Sequence, residues 1–278
     1  MNTKLIQRTV LALLVGGAGA GFAQGMPTSQ PGLLTIFRES VKLGRNAEHA
    51  RFEAGWPAAY QRAKSPYYYL AMVSLTGPNE AWFVAPYASN TAIADAMRME
   101  DSDTVLAAEL KRLARGDAEF LTDARVIQLR ARSDLSLGQF PNLATQRFWE
   151  ITTFRVRPGH EAEFDAAAKA YGASALRAAP GTSYRVYQVM AGGLEPTFVV
   201  FSSVTAYAEF DQTAAAGAKT MQGMTPEENA TLTKFFSDGL INSETNRFRL
   251  DPGMSYVSAE TRSQDPAFWM PKPAARRP

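Results

Sequence analysis

The chain has 278 residues, of which 29 are basic and 27 acidic, with 46% hydrophobic and 11% aromatic content and no cysteine. Such a composition excludes a disordered chain and a disulfide framework, so the fold must rest on buried apolar area. The near balance of charge, without a basic block, also excludes a nucleic-acid surface of the usual kind.

Lys4 and Arg8, an apolar run from Val10 to Val15 and small residues ending at Gly21, Phe22 and Ala23 read as a Sec-type signal peptide over 1–23. The apolar core is shorter than the roughly 20 residues of a spanning helix, so no membrane span is expected after cleavage. The expected location is periplasmic or secreted. Losing Lys4 and Arg8 leaves 27 basic residues against 27 acidic ones, a neutral mature chain. A linker over 24–32 follows.

The first unit, 33–138, opens with an extended run from Leu33 to Leu43, rich in apolar and β-branched residues, and turns at Gly44. An alanine-rich helix is predicted over 47–64, stopping ahead of Pro66. Strands over 67–76 and 81–87 meet through Gly77, Pro78 and Asn79, and a long helical region over 91–124 precedes a last strand over 125–131.

The second unit, 147–255, repeats the order: strand 147–156, a turn at Pro158 and Gly159, helix 161–178 before Pro180, and strands 183–190 and 197–203 joined at Gly192 and Gly193. A helical region over 205–241 contains Thr225, Pro226 and Glu228, a capping-box start, and leads to a strand over 245–250. The proline-rich tail, 256–278, reads as irregular.

A shift of about 115 residues superimposes the two units, as an internal repeat does. Val41 falls on Val156, Gly44 on Gly159, Trp56 on Tyr171, Tyr69 on Tyr184 and Val84 on Val199. The order β-α-β-β-α-β, twice, is the ferredoxin-like split motif. Helices can cover only one face of such a sheet, and the other unit is the simplest cover for the second face. The expected fold is therefore α+β, two tandem ferredoxin-like units packed sheet to sheet, with a monomer of pseudo-two-fold symmetry as the default.

The stretch FWEITTFRVRPGHEAEFDAAAKAY, Phe148 to Tyr171, resembles the opening strand, Pro-Gly turn and first helix of the dimeric α/β-barrel superfamily, in particular its antibiotic-biosynthesis-monooxygenase-like and NIPSNAP-like members. The first unit carries FRESVKLGRNAEHARFEAGW, a weaker version without the proline. The resemblance implies a single-chain pseudo-dimeric barrel with a cleft between helix and sheet. It does not imply one reaction, because similar members include cofactor-independent monooxygenases, haem-degrading enzymes, chlorite dismutase relatives, lactone isomerases and ligand-binding modules. Haem-degrading members place a histidine on the second helix and an asparagine on the first strand, and both are missing here. No cofactor is expected, with haem the weaker alternative.

Two histidines are available. His160 follows the Pro-Gly turn and reads as a solvent-facing helix start. His49 shares helical spacing with Phe52, Trp56 and Ala63, and Glu53 lies four residues on, so His49 and Glu53 are the candidate catalytic pair. The competing reading of His49 is a partly exposed first-turn residue. No second histidine completes a metal site, so none is expected. Candidate ligand-binding residues are Trp56, Tyr67, Tyr69 and Trp82 in the first unit and Tyr171 and Arg185 in the second, with core packing as the competing reading. On the first strand Arg38 and Glu39 are adjacent and should face opposite ways. The resulting expectation is a small-molecule-binding or interaction module, the alternative being a monooxygenase-like or isomerase-like enzyme using His49 or a tyrosine as proton acceptor.

Overall fold

The computed structural model describes residues 25–270; the predicted signal segment 1–23 and the end of the tail, 271–278, lie outside them. The first half runs β1 (Leu33–Val41), α1 (Asn46–Glu53), α2 (Gly55–Arg62), β2 (Leu70–Ser74), β3 (Glu80–Tyr87), α3 (Asn90–Ser102), α4 (Thr104–Asp117) and β4 (Leu121–Ala131). The second runs β5 (Phe148–Val156), α5 (Glu161–Ala178), β6 (Arg185–Ala191), β7 (Thr197–Val204), α6 (Phe210–Gln222), α7 (Pro226–Lys234) and β8 (Leu240–Leu250). Two short helices close the chain, α8 (Ala259–Gln264) and α9 (Pro266–Trp269).

The eight strands form one closed antiparallel barrel in the order β1-β3-β2-β8-β5-β7-β6-β4. Each half contributes the same four-strand order, β4-β1-β3-β2 and β8-β5-β7-β6. The halves join edge to edge, with Met72 opposite Leu250 where β2 meets β8 and Leu129 opposite Val189 where β4 meets β6. Closure pairs every strand on both sides, which removes the exposed edges an open sheet would present. The two sheets thus share one interior instead of stacking as separate layers.

Strand alternation then sorts the side chains. Leu34 and Ile36, Leu70 and Met72, Trp82 and Val84, Trp149 and Ile151, and Phe248 and Leu250 fill the interior. Arg38 also faces inward, where its guanidinium meets both oxygens of Glu80 at 2.9 and 2.7 Å and the Trp82 indole donates to Glu80 at 2.6 Å. Glu39, one residue on, faces outward under the helices, as the spacing requires.

Three expectations are corrected. The helix over 47–64 is interrupted at Ala54, giving α1 and α2. The helical regions over 91–124 and 205–241 end early, because β4 and β8 begin at Leu121 and Leu240 to pair along β1 and β5. The described part of the tail, 256–270, is not irregular: it carries α8 and α9, Trp269 is only 5% exposed inside the barrel cluster, and its indole donates to the Ala144 carbonyl at 2.9 Å. Among the described residues no helix is long and apolar enough to cross a membrane.

Candidate functional site

The outer faces of the two half-sheets, beneath their helices, differ. In the second half the outward residues of β5, β6 and β7 and the facing sides of α5, α6 and α7 leave a cavity of about 1090 Å³. Phe154, Phe164, Tyr171, Tyr184 and Val200 supply its apolar walls, and Thr152 and Ser202 lie on its floor. Glu150 also lines it, but is held by the Arg247 guanidinium at 2.9 Å. Burial, with Tyr171 adding to it, pushes the Tyr184 hydroxyl up to about 12, and burial raises Tyr171 too. Both are therefore neutral hydrogen-bonding groups near pH 7.

No histidine or cysteine lines this cavity. His160, at the start of α5, pairs through Nδ1 with Glu163. The lining does not fit a histidine-ligated haem, which needs an axial imidazole aimed into the cleft.

In the first half the corresponding space is packed. Tyr60 stacks on Tyr256 from the tail at 5.7 Å, Tyr69 meets Phe83 edge-on, and the Tyr256 hydroxyl donates to the Ser65 carbonyl at 2.8 Å. Deeper in, β1, α1 and α4 bring Glu39, His49, Glu53 and Asp117 together, with one potential ligand atom from each within 4.8 Å of the others. His49 Nε2 is 3.1 Å from Glu39 and 3.5 Å from Asp117. His49, Glu53 and Asp117 are each 2–3% exposed.

Close helix packing builds this cluster. A Cβ on Gly116 would lie 2.2 Å from the Phe52 ring and force it to move, so the glycine eases the approach of the end of α4 to α1 that carries Asp117 to His49. Burial, reinforced by Glu39 and Asp117, raises Glu53 to about 9, with the Trp56 indole opposing. Burial and Glu39 raise Asp117 as well, with His49 opposing. Glu53 and Asp117 also end their helices, where the backbone dipoles disfavour negative charge.

Of the residues singled out in the sequence, His49, Glu53 and Trp56 come together, although His49 contacts Glu39 and Asp117 through Nε2. The reading of His49 as a partly exposed residue is overturned. Tyr69 lies on the outer face beside Tyr60, and Tyr67 pairs loosely with Tyr87 at 6.3 Å. Trp82 is sealed inside the barrel against Phe248. Arg185 is buried on the inner side of β6, donating to the carbonyls of Leu137 and Gly138, so it does not line the cavity. Tyr171 does. Asp117 escaped sequence reasoning because it lies within the helical region predicted over 91–124, where one more acidic residue carries no signal, and its partners are remote in the chain.

The closed eight-stranded antiparallel barrel, four strands from each half of one chain, is a fold found in other solved structures. Among solved structures, a presumed monooxygenase of Fusobacterium nucleatum matches with TM-score 0.53 and 10% identity over 81% of this chain and 94% of its own. A presumed monooxygenase of Lactobacillus acidophilus matches with TM-score 0.50 and 10% identity over 82% and 98%. A chlorite dismutase variant from Candidatus Nitrospira defluvii matches at 0.49 and 10% identity over 85% and 96%. Identities this low establish the fold alone. No family model matches the sequence, and no curated protein does.

Proposed function

We propose that this is an exported module that binds a small, flat, largely apolar molecule in the second-half cavity. One observation carries the reading: an aromatic-walled space of about 1090 Å³ between helices and sheet, with few polar groups on its floor. Binding is favoured over catalysis because the lining carboxylates and tyrosines are engaged or held in one protonation state; the Thr205 hydroxyl and backbone N–H hold the Glu209 carboxyl below its ordinary range. The tyrosines are held neutral, Glu150 is paired with Arg247, and His49 belongs to the other half. A monooxygenase-like or isomerase-like activity is the second reading, and the presumed monooxygenases among the structural neighbours favour its first half. Export rests on the segment 1–23, and a duplicated origin rests on the repeat and the shared strand order. Closure supports a monomer as the default, since the halves use up each other's sheet edges.

The test is a titration of the chain with 8-anilinonaphthalene-1-sulfonate, followed by fluorescence. Saturable binding is expected, weakened at least tenfold by Ala216→Trp, which fills the cavity from α6, and reduced by Tyr171→Ala. Binding that ignores both substitutions in folded protein would refute the assignment.

A further inference from the structure

We infer that Glu39, His49, Glu53 and Asp117 form a binding site for one divalent first-row transition cation of the Mn²⁺, Fe²⁺ or Zn²⁺ class, cross-linking β1, α1 and α4. The site is distinct from the second-half cavity.

Geometry comes first. Ligands about 2.1 Å from a common ion lie roughly 3.0 Å apart when adjacent and 4.2 Å apart when opposite. The four side chains lie close to that range, with separations of 3.1 and 3.5 Å at His49 Nε2 and all within 4.8 Å, so small side-chain shifts would close them on one ion.

Charge and satisfaction come second. Three carboxylates converge on one imidazole, and among the described residues no lysine or arginine pairs with any of the three. Glu53 Oε1 and Asp117 Oδ1 are buried and have no hydrogen-bond partner, although each residue is only 3% exposed. A buried carboxylate oxygen left unpaired is costly, and a single cation would satisfy both at once. His49 Nε2 cannot donate to Glu39 and Asp117 together through one proton, whereas a deprotonated Nε2 and both carboxylates can share one ion.

The donor set indicates the class of cation. Three carboxylates with one imidazole nitrogen suit Mn²⁺, Fe²⁺ or Zn²⁺ better than Mg²⁺ or Ca²⁺, which prefer oxygen alone. Entry is available past Glu39, whose side chain is 16% exposed. Such a link ties residue 39 to residue 117, closing a long loop in a chain that has no cysteine to do so.

The experiment uses the chain dialysed against a chelator and then titrated separately with MnCl₂, ZnCl₂, CaCl₂ and MgCl₂. Stoichiometry is read by calorimetry and bound Mn²⁺ by its electron paramagnetic resonance signal. One equivalent of Mn²⁺ or Zn²⁺ is expected, with a rise in Tm reversed by chelator and with Ca²⁺ and Mg²⁺ at least tenfold weaker. The near-isosteric Glu53→Gln and Asp117→Asn, with near-UV circular dichroism to confirm folding, should each lower affinity at least tenfold. His160→Ala, at the other histidine, should not. The inference fails if no stoichiometric ion is taken up, if uptake ignores Glu53→Gln and Asp117→Asn, or if His160→Ala abolishes it.

Discussion

Replacing Trp269 by alanine tests whether the C-terminal segment is part of the barrel. A buried tryptophan side chain removes about 200 Å² from water. At about 25 cal/mol per Å² that burial contributes about 5 kcal/mol, an upper bound because the unfolded chain already hides some apolar surface. Tryptophan-to-alanine changes in cores cost roughly 3–5 kcal/mol. The Ala144 carbonyl would also lose its indole donor. The rest of the segment stays clamped, since Arg147 pairs with Asp265 and lies 3.7 Å over the Phe268 ring. The expected loss is therefore about 3–4 kcal/mol, or a fall in Tm of roughly 6–16 °C for a domain of this size. Urea unfolding measures it, with Met270→Ala as control, because Met270 is 53% exposed and should change stability by less than about 0.5 kcal/mol. A loss below about 1 kcal/mol for Trp269→Ala would mean that the tail does not fill the barrel.

Gly116→Val should cost about 1–3 kcal/mol by overpacking against Phe52 and should also weaken Mn²⁺ binding by pushing Asp117 away from His49; unfolding and metal titration of one sample read both effects. In chelator-treated protein the raised Glu53 makes the folded state hold a proton that the unfolded chain releases above its ordinary value near 4.5. Stability should then fall as pH rises from about 4.5 toward about 9, with a slope up to about 1.4 kcal/mol per pH unit, and Glu53→Gln should flatten the curve. Parallel stability curves for the two proteins between pH 5 and 8 would count against a protonated Glu53.

Much of the architecture was written locally. The apolar runs around Leu34 and Ile36 and around Trp82 and Val84 announce strands, although neighbouring Leu33, Phe37 and Phe83 are apolar as well, so only pairing decides which set faces the barrel interior. Thr225 and Glu228 form the capping box that their spacing announces, with each side chain bonded to the other's backbone. Strand alternation separates Arg38 from Glu39 before any coordinates are known.

What the tertiary structure decided depends on residues remote in sequence. Ala124, which reads as helical, is strand because it lies opposite Glu39, and ladder partners outweigh local propensity. Trp269 becomes core because the chain returns it to the interior cluster that holds Leu143, Trp149 and Phe248. His49 and Glu53 could be paired by helical spacing, but Glu39 and Asp117 join them only when α4 closes on α1 over a bare glycine, a contact between positions about 60 residues apart that no local pattern encodes. The division of labour between the halves, one hollow and one packed, has the same origin, because tail residues such as Tyr256 fill one cleft and leave the other empty.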